Sequence, residues 1–283
     1  MSAYLRLMRL NKPAGIALLW FPTAWALWVA NNGTPKLALI IYFLLGTIFM
    51  RSAGCVVNDI ADRHIDIHVN RTQHRPLTTG EISLPKAIIL LFLLLFAALF
   101  ILIQLPHQCF YYALFALFAT ILYPFCKRFI QAPQLILGLA FSMGIPMAYV
   151  ASGISPDITT LLLFVLNFTW IVAYDTMYAM ADRDDDLRIG VKSTAILFAH
   201  HECLIILLLQ IIVHTLWIAL ALGLHYSLWF YPPWALAAGI LAYQQWLIRT
   251  RKADSCLRAF STNSWYGLFM WLDLILINNS RFV

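Results

Sequence analysis

Charge is what this sequence has least of. Only 11% of its 283 residues are Asp, Glu, Lys or Arg, and 62% are hydrophobic. A soluble globular domain carries roughly 25% charged and 45–50% apolar residues. So few charges cannot coat a core of this size, which excludes an ordinary soluble enzyme and a disordered chain. Cysteine is sparse as well. Cys55, Cys109, Cys126, Cys203 and Cys256 are odd in number and widely spaced, with no CxxC pair. That excludes a disulfide scaffold and a cysteine zinc site, and predicts buried thiols. Alternation of apolar and polar residues is missing, which excludes an outer-membrane barrel. What remains is an all-α polytopic membrane protein.

Nine apolar segments are present, at about 15–31, 37–57, 86–104, 108–124, 135–152, 158–181, 202–223, 226–248 and 265–279. A spanning helix needs about 20 such residues, so the pattern predicts a bundle of about nine transmembrane helices forming one domain over 1–283. The basic residues are lopsided. Sixteen of the 19 lysines and arginines fall in the N-terminal tail and in the loops after segments 2, 4, 6 and 8. Lys36 and Arg281 lie on the opposite side, and Arg51 lies inside segment 2. By the positive-inside rule the N-terminus is cytoplasmic, and nine passes put the C-terminus outside. The net charge of +6 is therefore a topology signal, not an invitation to nucleic acid.

The acids concentrate at two places on the cytoplasmic side. Asn58, Asp59, Asp62 and Asp66 follow segment 2; Asp175, Asp182, Asp184, Asp185 and Asp186 close segment 6. On a helix Asn58, Asp62 and Asp66 recur every four residues along one face, with Arg51 one level deeper. Asp175, Asp182 and Asp186 fall within about 40° of one another at 100° per residue. Like charges at this spacing repel, so the arrays call for a positive partner. A hard divalent cation fits, because Mg²⁺ takes a few carboxylates and completes its shell with water and phosphate. Basic residues stand nearby: Lys127 and Arg128 after Tyr123, and Arg71, Arg75 and Lys192 in the loops. Carboxylates and cations together are what a metal-bound diphosphate requires. Each part also has a plainer reading: solvated helix ends for one cluster, topology charges for Lys127 and Arg128, snorkelling for Arg51. Two clusters on one side, each in register with its helix, favour the diphosphate site. An arginine within a span marks function by default. Asp273 is a further intramembrane acid without a visible partner.

These motifs resemble the intramembrane aromatic prenyltransferase (UbiA) superfamily. The resemblance rests on Asn58-Asp59-x-x-Asp62-x-x-x-Asp66, Tyr123-x-x-x-Lys127 and Asp182-x-x-x-Asp186, and it extends from Arg9-Leu10-Asn11-Lys12-Pro13 to the last segment. Met50 to Asp59, Arg75-Pro76-Leu77, Tyr174-Asp175-Thr176-x-Tyr178-Ala179-Met180 and Ile189 to Thr194 are similar to the bacterial branch that prenylates 4-hydroxybenzoate. The resemblance implies a helical bundle around a central cavity in the bacterial inner membrane. It implies Mg²⁺ as cofactor, held by Asn58, Asp59, Asp62, Asp66, Asp182 and Asp186. It further implies a polyprenyl diphosphate donor and 4-hydroxybenzoate as acceptor, a step of ubiquinone synthesis. Substrate contacts would come from Arg51, Asn58, Arg71, Arg75, Tyr123, Lys127, Arg128, Tyr178 and Lys192, with Asp62, Asp66, Asp175, Asp182, Asp186 and Lys127 in catalysis. Partners are the two substrates and the bilayer, with room for other quinone-pathway enzymes and none for nucleic acid. The rival readings are the haem O, menaquinone and homogentisate branches of the superfamily and a metal or organic-anion transporter. Transporters place their sites near the bilayer midplane, whereas these acids sit at one face.

Overall fold

Without water in the hydrocarbon, every backbone N–H and C=O must be satisfied within the chain, and helices do this segment by segment. The computed structural model describes residues 2–279, and no strand occurs among them. Arg281 lies outside the described residues. The helices are α1 (Ala3–Leu7), α2 (Ala14–Ala30), α3 (Leu37–Asp62), α4 (Leu84–Leu102), α5 (Gln108–Cys126), α6 (Gln134–Ser142) and α7 (Gly144–Ala151). They continue with α8 (Ile158–Ile189), α9 (Thr194–Leu197), α10 (Glu202–Gly223), α11 (Tyr231–Ile248) and α12 (Ala253–Asn279).

Among the described residues, six stretches are long and apolar enough to cross a membrane: Leu37–Asp62, Leu84–Leu102, Gln108–Cys126, Gln134–Ala151, Ile158–Ile189 and Ala199–Gly223. α2 is apolar but shorter. This is an integral membrane protein. Its outward faces suit lipid: Phe92, Phe96 and Phe100 of α4 are exposed one turn apart. All five cysteines are free, and four are buried.

α2 runs through the middle of the bundle, with nearly every residue from Leu18 to Ala30 buried. Trp25 is the hub. Its ring centroid lies 5.1 Å from Trp170 of α8 and 5.0 Å from Trp217 of α10, and its indole N–H donates to the Gly267 carbonyl of α12 at 3.1 Å. Between membrane helices there is little hydrophobic driving force, so close van der Waals fit and interhelical hydrogen bonds hold the contact. Gly267 permits it: a Cβ there would sit 2.6 Å from Phe21 and 3.0 Å from Trp170.

Two departures from straight helix shape the cavity side. The segment 135–152 is kinked between α6 and α7 at Met143. Pro146 has no N–H to give to the Ser142 carbonyl; separately, the Ser142 hydroxyl accepts from the Asn167 side-chain amide at 3.0 Å, which ties the kink to α8. In α5, Pro124 likewise leaves the Thr120 carbonyl without a helical donor.

Both acid clusters sit on helix extensions. α8 has 32 residues, roughly 48 Å at 1.5 Å per residue, against a hydrocarbon core of about 30 Å. It starts at a capping box between Asp157 and Thr160 and stops at Gly190, whose φ of 74° is the left-handed cap that glycine adopts freely. Asp175, Asp182 and Asp186 therefore share one unbroken helix. The first cluster differs from expectation. α3 ends at Asp62, and Asp66 opens a separate 3₁₀ turn, Asp66–His68. The chain must turn there to fold over the cavity, and Thr72 Oγ1 secures the turn by donating to the Asp66 carbonyl at 2.9 Å.

Gly267→Ala is expected to overpack the Phe21–Trp170 contact, at about 1–3 kcal/mol. Thermal unfolding in detergent should fall by several degrees; an unchanged melting temperature would count against the packing role of Gly267.

Candidate active site

At the charged end of the bundle a cavity of about 650 Å³ opens between α2, α3, α5, α8 and α12. Arg51, Asn58, Asp62, Asp66, Arg71, Arg75, Tyr123, Lys127, Asp175, Tyr178, Asp182, Asp186 and Lys192 all line it. Residues far apart in sequence thus meet around one space, because α3, the turn after it and α8 deliver the acids while the loops after α3, α5 and α8 deliver most of the cations.

The charges are interlocked. Arg75 donates through one nitrogen to Asp59 at 3.0 Å and to Asp66 at 2.6 Å. Arg9 adds a second cation to Asp59 at 2.6 Å. Arg71 forms a two-pronged pair with Asp182, at 2.9 and 2.5 Å, and its guanidinium lies 4.5 Å from the centre of the Tyr178 ring. Lys127 reaches Asp62 at 3.0 Å and the Asn58 side-chain oxygen at 3.4 Å. Burial pushes the Asp66 carboxyl up from the ordinary range, and Asp59 and Asp62 add to this against the opposing Arg75. Asn70 donates to Asp185 through its backbone and side chain, at 3.0 and 3.2 Å, which ties the loop after α3 to the end of α8. The Lys192 ammonium donates to the Phe129 carbonyl at 3.0 Å.

Two expected site residues lie elsewhere. Asp59 is 1% exposed and faces Arg9 and Arg75 behind the cavity wall. It lies on the turn of α3 between Asn58 and Asp62 but points to the other side. Arg128 turns outward, donating to the Ala61 carbonyl at 3.2 Å over the Phe125 ring. Arg9, Gly15, Gln134 and Tyr174 line the cavity and were not singled out as site residues. Arg9 stands in the Arg9-to-Pro13 motif, but its φ of 58°, which turns the chain into the site, has no sequence signature.

Arg51 is set deeper. Its Nε is buried without a hydrogen-bond partner, and the guanidinium lies 5.7 Å from the Phe141 ring centre. A Cβ on Gly15 would come within 2.7 Å of this guanidinium, so the glycine provides its berth. Tyr123 donates toward Asp175 at 3.5 Å, and the Tyr174 hydroxyl is buried without a partner. Arg51, Gly54, Thr120 and Phe141 also line a second cavity of about 350 Å³. That one is almost wholly apolar and runs between α3, α4, α5 and the α6–α7 kink.

Among the described residues no three acidic, histidine or cysteine side chains converge closely enough to hold a metal unaided. The donors present nonetheless suit a hard cation. They are oxygens, and Asp62 Oδ1 is buried with no partner while its other oxygen takes Lys127.

The UbiA prenyltransferase family model matches residues 19–272. The chain belongs to the UbiA prenyltransferase family. Among curated relatives, the 4-hydroxybenzoate octaprenyltransferase of Legionella pneumophila (strain Lens) is 61% identical over 270 residues, 95% of this chain and 96% of that protein. The protein of the same name from Tolumonas auensis is 46% identical, over 96% of each chain. A UbiA homolog from Aeropyrum pernix has the same fold, with a TM-score of 0.80 at 22% identity, over 92% of this chain and 97% of that one. A UbiA homolog from Archaeoglobus fulgidus bound to GPP and Mg²⁺ superposes with a TM-score of 0.73 at 21% identity, over 98% of this chain and 100% of that one.

Removing Arg75 leaves Asp66 buried without its cation, beside Asp59, which keeps Arg9; stranding one partner of a buried pair typically costs about 3–5 kcal/mol. Arg75→Ala should make the loop between α3 and α4 more open to limited proteolysis than in the unaltered protein. Equal cleavage rates would mean that this ion pair does not hold the loop.

Proposed function

We propose that this chain transfers a polyprenyl group from its diphosphate to the ring carbon ortho to the hydroxyl of 4-hydroxybenzoate, as a 4-hydroxybenzoate polyprenyltransferase. The observation that carries this reading is the meeting, at Arg51, of a cavity rich in Asp, Lys and Arg with an apolar cavity inside the bundle. A prenyl diphosphate is the same combination in one molecule. The relatives named for this reaction, 61% identical over nearly the whole chain, support the choice of acceptor.

The reaction begins when the bond between the allylic carbon and the diphosphate oxygen breaks, which needs positive charge at the leaving group. Lys127, Arg71, Arg75 and Lys192 are the protein's share. Each rests on a carboxylate or carbonyl oxygen and exchanges it for phosphate oxygen when the donor binds. Asn58, Asp62, Asp66, Asp182 and Asp186 would hold Mg²⁺, which adds positive charge at the same leaving group. Tyr178, between Arg71 and Phe260, walls this end of the cavity. Asp175, the deepest acid of its cluster and faced by Tyr123, favours the positive charge that develops on the allylic carbons. The surrounding apolar lining keeps water from that cation. Arg51 holds the carboxylate of the aromatic acid, a task that suits a planar guanidinium with unpaired donors. The ring carbon then bonds to the prenyl carbon, and the ring proton passes to the released diphosphate, which restores the aromatic ring.

The same reading has nine membrane passes forming one domain over 1–283 in the bacterial inner membrane. The N-terminus and the polar cavity are cytoplasmic and the C-terminus is periplasmic, as the one-sided Lys and Arg distribution favours.

Purified protein in detergent, given 4-hydroxybenzoate, geranyl diphosphate and Mg²⁺, should yield prenylated product, and EDTA should abolish it. No product where a related enzyme works would sink the assignment. Asp62→Asn and Asp186→Asn are each expected to lower turnover by about 100-fold or more; near-normal turnover in either would remove the two-cluster site. Arg51→Ala and Gly15→Ala should both raise the KM for 4-hydroxybenzoate, the second by pushing the guanidinium from its berth. A change confined to the KM of the diphosphate would place Arg51 on the donor instead.

A further inference from the structure

The proposed chemistry explains the polar cavity but leaves open what sets the length of prenyl chain that the apolar one takes. α3 forms a common wall. Gly54 lies at the neck where the two cavities join, in ordinary contact with Thr120 at 3.5 Å from its would-be Cβ. Gly46 lies eight residues earlier on the same helix, about 12 Å deeper at 1.5 Å per residue, and it lines only the apolar cavity. A Cβ built there meets no atom within 4 Å. Gly15, Gly138, Gly144 and Gly267 are hemmed in by neighbouring side chains, whereas this one faces open space. Around it the cavity continues to Tyr42, Phe43 and Leu105. Leu99, Phe110 and Leu114 line it and are also exposed on the outer surface, so it communicates with the lipid between α4 and α5.

We infer that Gly46 is a specificity-determining position for the prenyl donor: its missing side chain leaves passage for a tail that has entered past Gly54 and runs on toward the α4–α5 opening. This rests on the proposed function. The occupant follows from continuity, since the apolar space begins at the neck beside Arg51, within the polar cavity that would hold the diphosphate. A tail of two isoprene units ends near the neck, whereas a tail of eight must pass Gly46 and leave through the side of the bundle. Larger side chains at 46 should therefore discriminate by tail length. A merely structural role would weaken both donors alike.

The test is a series, Gly46→Ala, Gly46→Leu and Gly46→Phe, in the full-length protein in detergent with Mg²⁺. Affinities for geranyl and octaprenyl diphosphate are measured without any acceptor. The unaltered protein reports on the proposed function: if it binds neither diphosphate, that reading fails and the inference with it. If it binds both, the ratio of octaprenyl to geranyl affinity should fall stepwise along the series, by at least tenfold for Gly46→Phe. Alanine has room at this position, so the series stays informative even where a larger side chain lowers the melting temperature. A ratio that stays within twofold across every folded member would overturn the inference, as would equal loss for both donors.

Discussion

The polar end of this bundle exists because four acids are held by cations and a fifth by an amide. Asp59, Asp62, Asp66 and Asp182 each receive Arg or Lys, and Asp185 receives Asn70. Without them α3 and α8 would bring like charges together at the edge of a low-dielectric interior, and repulsion would drive the helix ends apart. The pairs also dictate the loop between α3 and α4. Its arginines must reach inward to Asp66, Asp59 and Asp182, so the loop folds over the cavity instead of extending into solvent. Each of these cations neutralises a carboxylate at close range, so the polar end carries its charges in pairs.

The sequence made the large features legible. Composition and unbroken apolar runs are enough to give an all-helical membrane protein, since in lipid nothing but a helix satisfies such segments. The register of Asp175, Asp182 and Asp186 carried through because α8 is continuous to Ile189. The every-four-residue reading of Asn58, Asp62 and Asp66 carried only as far as Asp62, where tertiary contacts to Thr72 and Arg75 override the helix. Periodicity speaks of one element at a time, so it cannot see a partner from another. That is why Asp59, adjacent in the motif, turned out to face Arg9, and why Gly15 gave no hint of its contact with Arg51.

Proline and glycine shape the interior of the two-cavity system. Gly15 makes room for a guanidinium, and Gly46 leaves a void. Pro124 offers no N–H to the carbonyl of Thr120, a residue shared by both cavities. In soluble proteins such residues mostly mark turns. Here they sit within helices, where a missing side chain or a missing donor is a way to carve space without breaking the bundle.

The pairing of Arg71 with Asp182 spans 111 residues, and this has a consequence for biosynthesis. Chains emerge from the ribosome N-terminus first. Arg9, Asp59, Asp66 and Arg75 can find one another as soon as α3 and its loop are made, and Lys127 joins Asp62 after α5. Arg71 waits for α8. Until then the first half of the protein sits in the bilayer with a bound set of charges on one flank and an unmatched guanidinium on the other. The arrival of α8 works as a latch for this ion pair, and α12 supplies the last wall of the cavity, so a chain stalled before α8 would carry the first acid motif without its chamber.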